Sequence, residues 1–410
     1  MTFMRKLFYE DINITEFEAS VISCEKSVKD GLYELVLDAT AFFPEEGGQS
    51  ADKGFLIIKD DNTNLSQSLE KEFTPESMNH IEVKDVQIKG DTIYHYISHY
   101  IECGTIVFGH VDKAQRFDFM QQHSGEHIIS GLVNKKYGYN NVGFHLSVNE
   151  VTLDFDGVLS AEQLSEIELA ANKVIYHNLP IIISYPTNDE LNNLSYRSKI
   201  EIDGQVRIVT IPGVDVCACC APHVSSTGEI GIIKITQSQS YKGGVRLHIL
   251  CGERALRDYC EKQNSVSAIA ADMSIKQAQI YEGYSRLKED LFKQKEAFNE
   301  LQMKYLSLMI DSLPTPDVAG NVTLFVEAMD NIALRNTVNS LVEKYKGFSC
   351  VFSGSDEEGY RFIAGSKELD CNELANVFRK ELSAKCGGSR QMIQGSVVAK
   401  RNDLESLLSE

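Results

Sequence analysis

Two short motifs, far apart in the chain, constrain its fold more than anything else in it. His123 and His127 stand four residues apart in RFDFMQQHSGEH, and Cys219 and His223 stand four apart in DVCACCAPHV. On a helix, residues i and i+4 share a face one turn apart, so the first pair can turn two imidazoles toward one ion. A thiolate and an imidazole from the second motif would complete a tetrahedron of the kind zinc takes from nitrogen and sulfur donors. A fold that uses both motifs must bring a helix against a turn about a hundred residues further along.

Spacing alone does not make a site. His95 and His99 have the same spacing inside TIYHYISHYIEC, which alternates like a strand. There, four residues span about 13 Å, too far for two ligands on one ion. Helix geometry separates the pairs. At about 100° per residue, His123 and His127 share a face with Met120, Ser130, Gly131 and Asn134, whereas Ile128, Ile129, Leu132 and Val133 point well away. The histidines are therefore not filler on the apolar stripe. The competing reading is a coincidental pair on a solvated face. For the cysteines it is a cluster packed as small hydrophobes. Cys217 and Cys220 are alternatives to Cys219 as ligand, and spacing does not decide among them. A shell of four protein ligands would be closed and structural, whereas a catalytic zinc keeps a position for water or substrate.

With 410 residues, two or three domains are expected. Of the ten cysteines, Cys24, Cys103, Cys251, Cys260, Cys350, Cys371 and Cys386 are scattered singly. With no signal-like apolar segment in MTFMRKLFYE, the tight cluster at 217–220 reads as metal or redox chemistry rather than disulfides, in a cytoplasmic protein. No apolar run reaches the roughly 18 residues of a membrane span. The net charge of −19 opposes general nucleic-acid binding, because phosphates want Lys and Arg. RNA contact would need a confined basic surface. Lys113, Arg116, Lys135 and Lys136 are candidates for it, although a solvated face explains them equally well.

The organisation is α+β. Residues 1–110 carry strand patterns around the loop AFFPEEGGQSADKG, as a small barrel would. Residues 111–253 mix a helix from Arg116 to about Tyr137, a second helix in EIELAANKVIYHN, and strands in VTLDFD, QVRIVTI and VRLHILCG. Residues 254–313 form a proline-free helical stretch. Its stripe of Met273, Ile280, Tyr284, Leu287, Leu291, Phe298, Leu301, Tyr305 and Leu308 is interrupted at Gln277 and Gln294, a coiled-coil or helical-hairpin signal. Residues 314–410 return to strands and helices in a small α/β domain ending in the Gly-rich turn AKCGGSRQMIQGS.

HSGEH followed about a hundred residues later by a Cys-x-x-x-His turn resembles the editing domain of alanyl-tRNA synthetase and the free-standing AlaX proteins. FFPEEGGQSADKG resembles that family's Gly-Gly-Gln loop, KGGVRLHILCG the strand closing the editing domain, and GGSRQMIQGS the Gly-rich motif of the DHH-associated domain in long AlaX proteins. The resemblance implies a hydrolase removing serine or glycine wrongly attached to alanine tRNA, with one zinc on His123, His127, Cys219 and His223. ATP-dependent ligation is not expected, because the chain begins at the barrel. One departure stands out: the family's usual Cys-Gly-Gly-Thr-His is here Cys219-Cys220-Ala221-Pro222-His223.

On this reading Glu126 is the candidate general base, and its alternative is a solvated side chain about 100° round the helix from His127. Gln49 is the candidate to approach the acceptor end, its alternative an ordinary turn residue. Phe144, His145 and Ser147 are candidates to line the amino-acid pocket. The helical and C-terminal regions would serve a homodimer. The competing class is a non-catalytic RNA-binding protein stabilised by zinc. A zincin-type peptidase is disfavoured, since Ser124 stands where that pattern needs Glu.

Overall fold

Alternate side chains of Glu16–Lys26 turn inward along the strand, with Phe17, Ala19 and Val21 all buried. That period-two pattern is what a closed barrel needs from each strand. The computed structural model describes residues 4–29, 31–59, 80–198, 205–313, 320–327 and 329–409. It divides into two compact units, 1–268 and 269–410.

In the first unit, six described strands close an antiparallel barrel: β1 (Glu16–Lys26), β2 (Tyr33–Leu37), β3 (Gly54–Ile58), β4 (His80–Lys89), β5 (Thr92–Ile97) and β6 (Ile106–Val111), in the order β1-β2-β5-β4-β3-β6. Leu35, Leu37, Leu56, Val86, Ile93 and Val107 fill it. His95 lies inside it, fully buried, with Nε2 2.8 Å from the Thr40 hydroxyl and Nδ1 3.2 Å from the Leu35 carbonyl. His99 lies beyond the strand and hydrogen-bonds Ser98. The loop between β2 and β3 leaves the barrel and carries Gly47, Gly48 and Gln49 outward.

The barrel runs directly into α1 (Lys113–Tyr137). The Asp112 carboxylate accepts from the Gln115 amide and starts the helix, and Gly138 at φ 74° ends it. From Phe119 to Gly131 every residue of α1 is buried, polar and apolar alike. The polar face is thus no solvent face. Around α1 lie β7 (Asn141–Leu146), β8 (Val151–Phe155), α2 (Ala161–Tyr176), β9 (Ile182–Ser184), β10 (Ile208–Ile211), β11 (Asp215–Ala218), β12 (Ile233–Tyr241) and β13 (Gly244–Cys251). They form two antiparallel sheets, β12-β13-β8-β7 and β9-β10-β11. A capping box between Ser160 and Gln163 opens α2. The buried Arg116 guanidinium grips the buried Asp52 carboxylate and the Ala41 carbonyl, locking α1 to the barrel loop.

The helical stretch is not continuous. It consists of α3 (Gly252–Asp272) and α4 (Ile280–Asp311), separated by Ser274 at φ 52° and a 3-10 turn at Gln277–Gln279. Along α4, Leu287, Leu291, Phe298, Leu301 and Leu308 are exposed, whereas Leu306 and Ile310 are buried. The second unit ends in a sheet of β14 (Val322–Val326), β15 (Ser349–Ser355), β16 (Gly359–Gly365), β17 (Lys385–Gly388) and β18 (Met392–Val397), in the order β14-β15-β16-β18-β17. Helices α5 (Asn331–Lys344), α6 (Cys371–Leu382) and α7 (Arg401–Ser409) accompany it. The Gly-rich segment expected to close the chain as a turn is instead the β17–β18 hairpin, with α7 after it. No described helix is long and apolar enough to cross a membrane.

Candidate metal centre

The two motifs meet. Ligand atoms of His123, His127, Cys219 and His223 all lie within 4.8 Å of one another. The Cys219 sulfur is 3.5 Å from His123 Nε2 and 3.3 Å from His223 Nε2. Helix periodicity stacks the His123 and His127 rings at 5.5 Å, and His223 stands edge-on to both.

The other nitrogen of each ring is engaged. His123 Nδ1 is 2.8 Å from Gln49 Oε1, His127 Nδ1 is 2.9 Å from Asp215 Oδ2, and His223 Nδ1 is 3.2 Å from Ser124 Oγ. An Nδ1–H held by an acceptor fixes the tautomer that offers Nε2 as a lone pair, the arrangement in which metal-binding histidines are oriented. Asp215 is itself gripped by Arg197, through Nε at 2.8 Å and Nη2 at 2.7 Å. The donor set therefore fits a zinc ion: three imidazoles and one thiol, each ring braced from behind.

Charge agrees. Burial opposes ionisation of the Cys219 thiol, but the neighbouring His123 outweighs it and holds the thiol well below its ordinary range. Burial and the neighbouring Cys219 push the Cys220 thiol far up. Burial drives His223 down to about 3, so its imidazole is neutral. Burial works against charge on His127 too, yet Glu126 and Asp215 hold it well above the usual value, so without a metal this ring keeps a second proton that metal binding must displace. Burial disfavours the Asp215 carboxylate, but His127 and Arg197 keep it below the ordinary value.

The three cysteines separate by position. Cys219 joins the three histidines, while buried Cys217 groups with His127 and Asp215. Cys220 lies against the Gly-rich loop, where a Cβ added at Gly47 would come within 3.2 Å of its sulfur. The turn manages without the family's glycines. Among described non-glycine residues, neither Cys220 nor Ala221 has a positive φ, and Arg207 Nη1 donates to the Cys219 and Ala221 carbonyls at 2.8 and 2.9 Å.

The remaining candidates are distributed as follows. Gln49 is fully buried, and its Nε2 has no hydrogen-bond partner. The Gly47–Gly48 pair delivers it: both have positive φ, and a Cβ on Gly48 would sit 2.4 Å from the Phe144 carbonyl oxygen. Glu126 is not solvated. Its Oε1 accepts from Ser130 Oγ at 2.7 Å and Asn141 Nδ2 at 2.5 Å, and its Oε2 lies 3.7 Å from His127 Nε2. The Phe144 ring is 4.7 Å from that of His123. His145 is exposed and, by strand alternation, faces away from Phe144, and Ser147 bonds Glu150 in the turn after β7. Asp215, Arg197, Ser124, Asn141 and Arg207 were not singled out from the sequence. Only Ser124 and Asp215 carried a signal, lying within or beside the two motifs.

Residues 206–248, which span the Cys-x-x-x-His turn, match the family described as Threonyl and Alanyl tRNA synthetase second additional domain. The alanyl-tRNA editing protein AlaX-L of Pyrococcus horikoshii is 25% identical over 407 residues, covering 98% of this chain and 96% of that one. The chain is a relative of long-form AlaX proteins. It is also similar to alanine–tRNA ligases, at 28% identity over 393 residues in Ignicoccus hospitalis and 29% over 394 in Methanobrevibacter smithii. It spans about two fifths of the length of those ligases, 40% and 42% respectively. The relationship to AlaX-L thus runs the length of both chains, through the barrel, both metal-type motifs and the C-terminal unit.

Proposed function

We propose that the chain is a zinc-dependent aminoacyl-tRNA deacylase that removes serine or glycine wrongly attached to alanine tRNA. One observation carries the reading: three Nε2 atoms and a thiol converge within 4.8 Å while every Nδ1 is held elsewhere. That arrangement supports one zinc per chain on His123, His127, Cys219 and His223. When bound, zinc supplies a Lewis acid at which an ester can be held and polarised.

The chain's own side chains do the rest. Glu126 is assigned as the general base, anchored through Oε1 and with Oε2 toward the His127 side of the centre. It takes a proton from water as the water oxygen bonds to the ester carbon, and returns it to the departing ribose oxygen. The products are a free amino acid and tRNA with a free terminal hydroxyl. Gln49 orients His123, and its remaining amide donor is assigned to a substrate oxygen. Phe144, against His123, lines the amino-acid side of the pocket.

The four-donor set also favours a second reading, a closed structural zinc in a non-catalytic RNA-binding protein. Incubating zinc-loaded protein with serine-, glycine- and alanine-charged alanine tRNA separates the two. Release of serine or glycine faster than alanine is expected. Binding of tRNA with no release of any amino acid selects the second reading.

A further inference from the structure

A cleft of about 780 Å³, lined largely by polar residues, opens beside the metal centre. That volume is within the usual range for a small-molecule or nucleotide subsite. Its floor flanks His127 on both sides. Asp215, on one side, holds His127 Nδ1 at 2.9 Å. Asn141, on the other, holds Glu126, whose second oxygen is 3.7 Å from His127 Nε2. Glu126 and His127 are themselves buried behind these two residues, so the cleft adjoins the centre through Asp215 and Asn141.

The walls have the chemistry of a single-stranded RNA site. Tyr196 contributes a partly exposed ring, and Lys135 and Arg197 contribute cations. Asp215 is the single carboxylate among the lining residues, and Arg197 already pairs with it at 2.7 Å. Lys135 is held by the Gly213 carbonyl at 3.0 Å rather than by an acid. The cleft is therefore locally cationic on a chain of net charge −19. Asn134 adds an amide beside it. A ring for stacking, a cation for a phosphate and amides for sugar and base edges are what sequence-tolerant recognition of an RNA strand uses.

We propose that this cleft receives the unpaired 3′-terminal nucleotides of an RNA, with a base on Tyr196 and a backbone phosphate at Lys135. The proposal rests on the deacylase reading for the identity of the strand, and adds the cleft in which it lies beside the centre. The experiment measures binding without turnover. An uncharged RNA hairpin with a four-nucleotide single-stranded 3′ end, and the same hairpin with a blunt end, would be titrated with the full chain by fluorescence anisotropy. Blunting the hairpin should weaken binding at least tenfold. Tyr196→Ala should weaken binding of the overhanging hairpin about fivefold or more, and Tyr196→Phe, which keeps the ring, should restore it. Lys135→Ala should weaken it and reduce the slope of log affinity against log salt by about one phosphate contact. Lys136→Ala, whose lysine pairs with Glu166 outside the cleft, should change neither. Equal affinity for the two hairpins, or wild-type affinity in both Tyr196→Ala and Lys135→Ala, overturns the proposal. If the cleft variants weaken binding while the wild type releases no amino acid, the deacylase reading falls and the cleft stands. Release of amino acid with binding unaffected by the cleft variants does the reverse.

Discussion

Gln49 reaches out of the barrel loop to place its side-chain carbonyl 2.8 Å from His123 Nδ1. The contact joins residues 74 positions apart. It decides which nitrogen of His123 faces the other three candidate ligands. Gln49→Met, similar in shape but without the acceptor, should lower zinc affinity about 10- to 100-fold, the usual cost of removing an outer partner of a metal-binding histidine. Gln49→Glu keeps an acceptor toward His123 and should retain zinc, while losing the amide donor and with it deacylation. Competition with a chromogenic chelator measures the first effect, and amino-acid release the second. Equal zinc affinity in the wild type and the Met variant would remove Gln49 from the metal's support.

Cys219, not Cys217 or Cys220, should carry the metal. Burial and Cys219 hold the Cys220 thiol protonated, and Cys217 lies on the Asp215 side of His127. In cobalt-substituted protein, Cys219→Ala should abolish the sulfur-to-metal charge-transfer band, while Cys217→Ala and Cys220→Ala should leave it. Persistence of the band in Cys219→Ala would reassign the ligand.

The limits of the sequence reading follow from the same contacts. The i,i+4 spacing carries His123 and His127 because a helix repeats locally, and the Asp112 cap and Gly138 stop are equally local signals. The alternative of a solvated Glu126 did not survive, since α1 is enclosed from Phe119 to Gly131 and Glu126 is as buried as Ile128. A single helix pattern cannot report that a second sheet covers its polar side. Asp215 and Arg197 act on His127 only after the β10–β11 hairpin folds across α1, so although Asp215 stands beside a motif, no spacing announces that role. The interruption at Gln277 does fall at the break between α3 and α4, but the left-handed backbone at Ser274 was not legible, because serine is not a usual residue at positive φ.

The buried pair of Arg116 and Asp52 should weigh heavily on stability. Both side chains are almost wholly excluded from solvent, and Asp52 also accepts from the Phe43 amide at 2.6 Å. Removing one partner leaves an uncompensated charge, so Arg116→Met or Asp52→Asn should each cost about 3–5 kcal/mol. The double variant should cost less than the sum of the two, because neither charge is then orphaned. Urea unfolding followed by circular dichroism measures all three, and simple additivity would argue against a coupled pair.

His95 should make the barrel acid-sensitive. Burial lowers its pKa from 6.5 to about 4, while the Leu35 carbonyl partly opposes the shift. Below pH 6.5 the unfolded chain takes up a proton that the folded barrel refuses until about pH 4. The neutral ring therefore contributes its full share of stability above pH 6.5, and that share is lost as pH falls toward 4. At about 1.4 kcal/mol per pH unit, the loss between pH 6.5 and 5 approaches about 2 kcal/mol. His95→Gln can keep a polar contact with Thr40 but has no proton to gain. Its unfolding free energy should therefore fall less between pH 7 and pH 5 than that of the wild type, although it is lower at pH 7. Amide hydrogen exchange in β5, corrected for intrinsic rates, reads the difference in the barrel itself. Identical pH dependence in the two proteins would mean that His95 is charged in the folded state or reached by water.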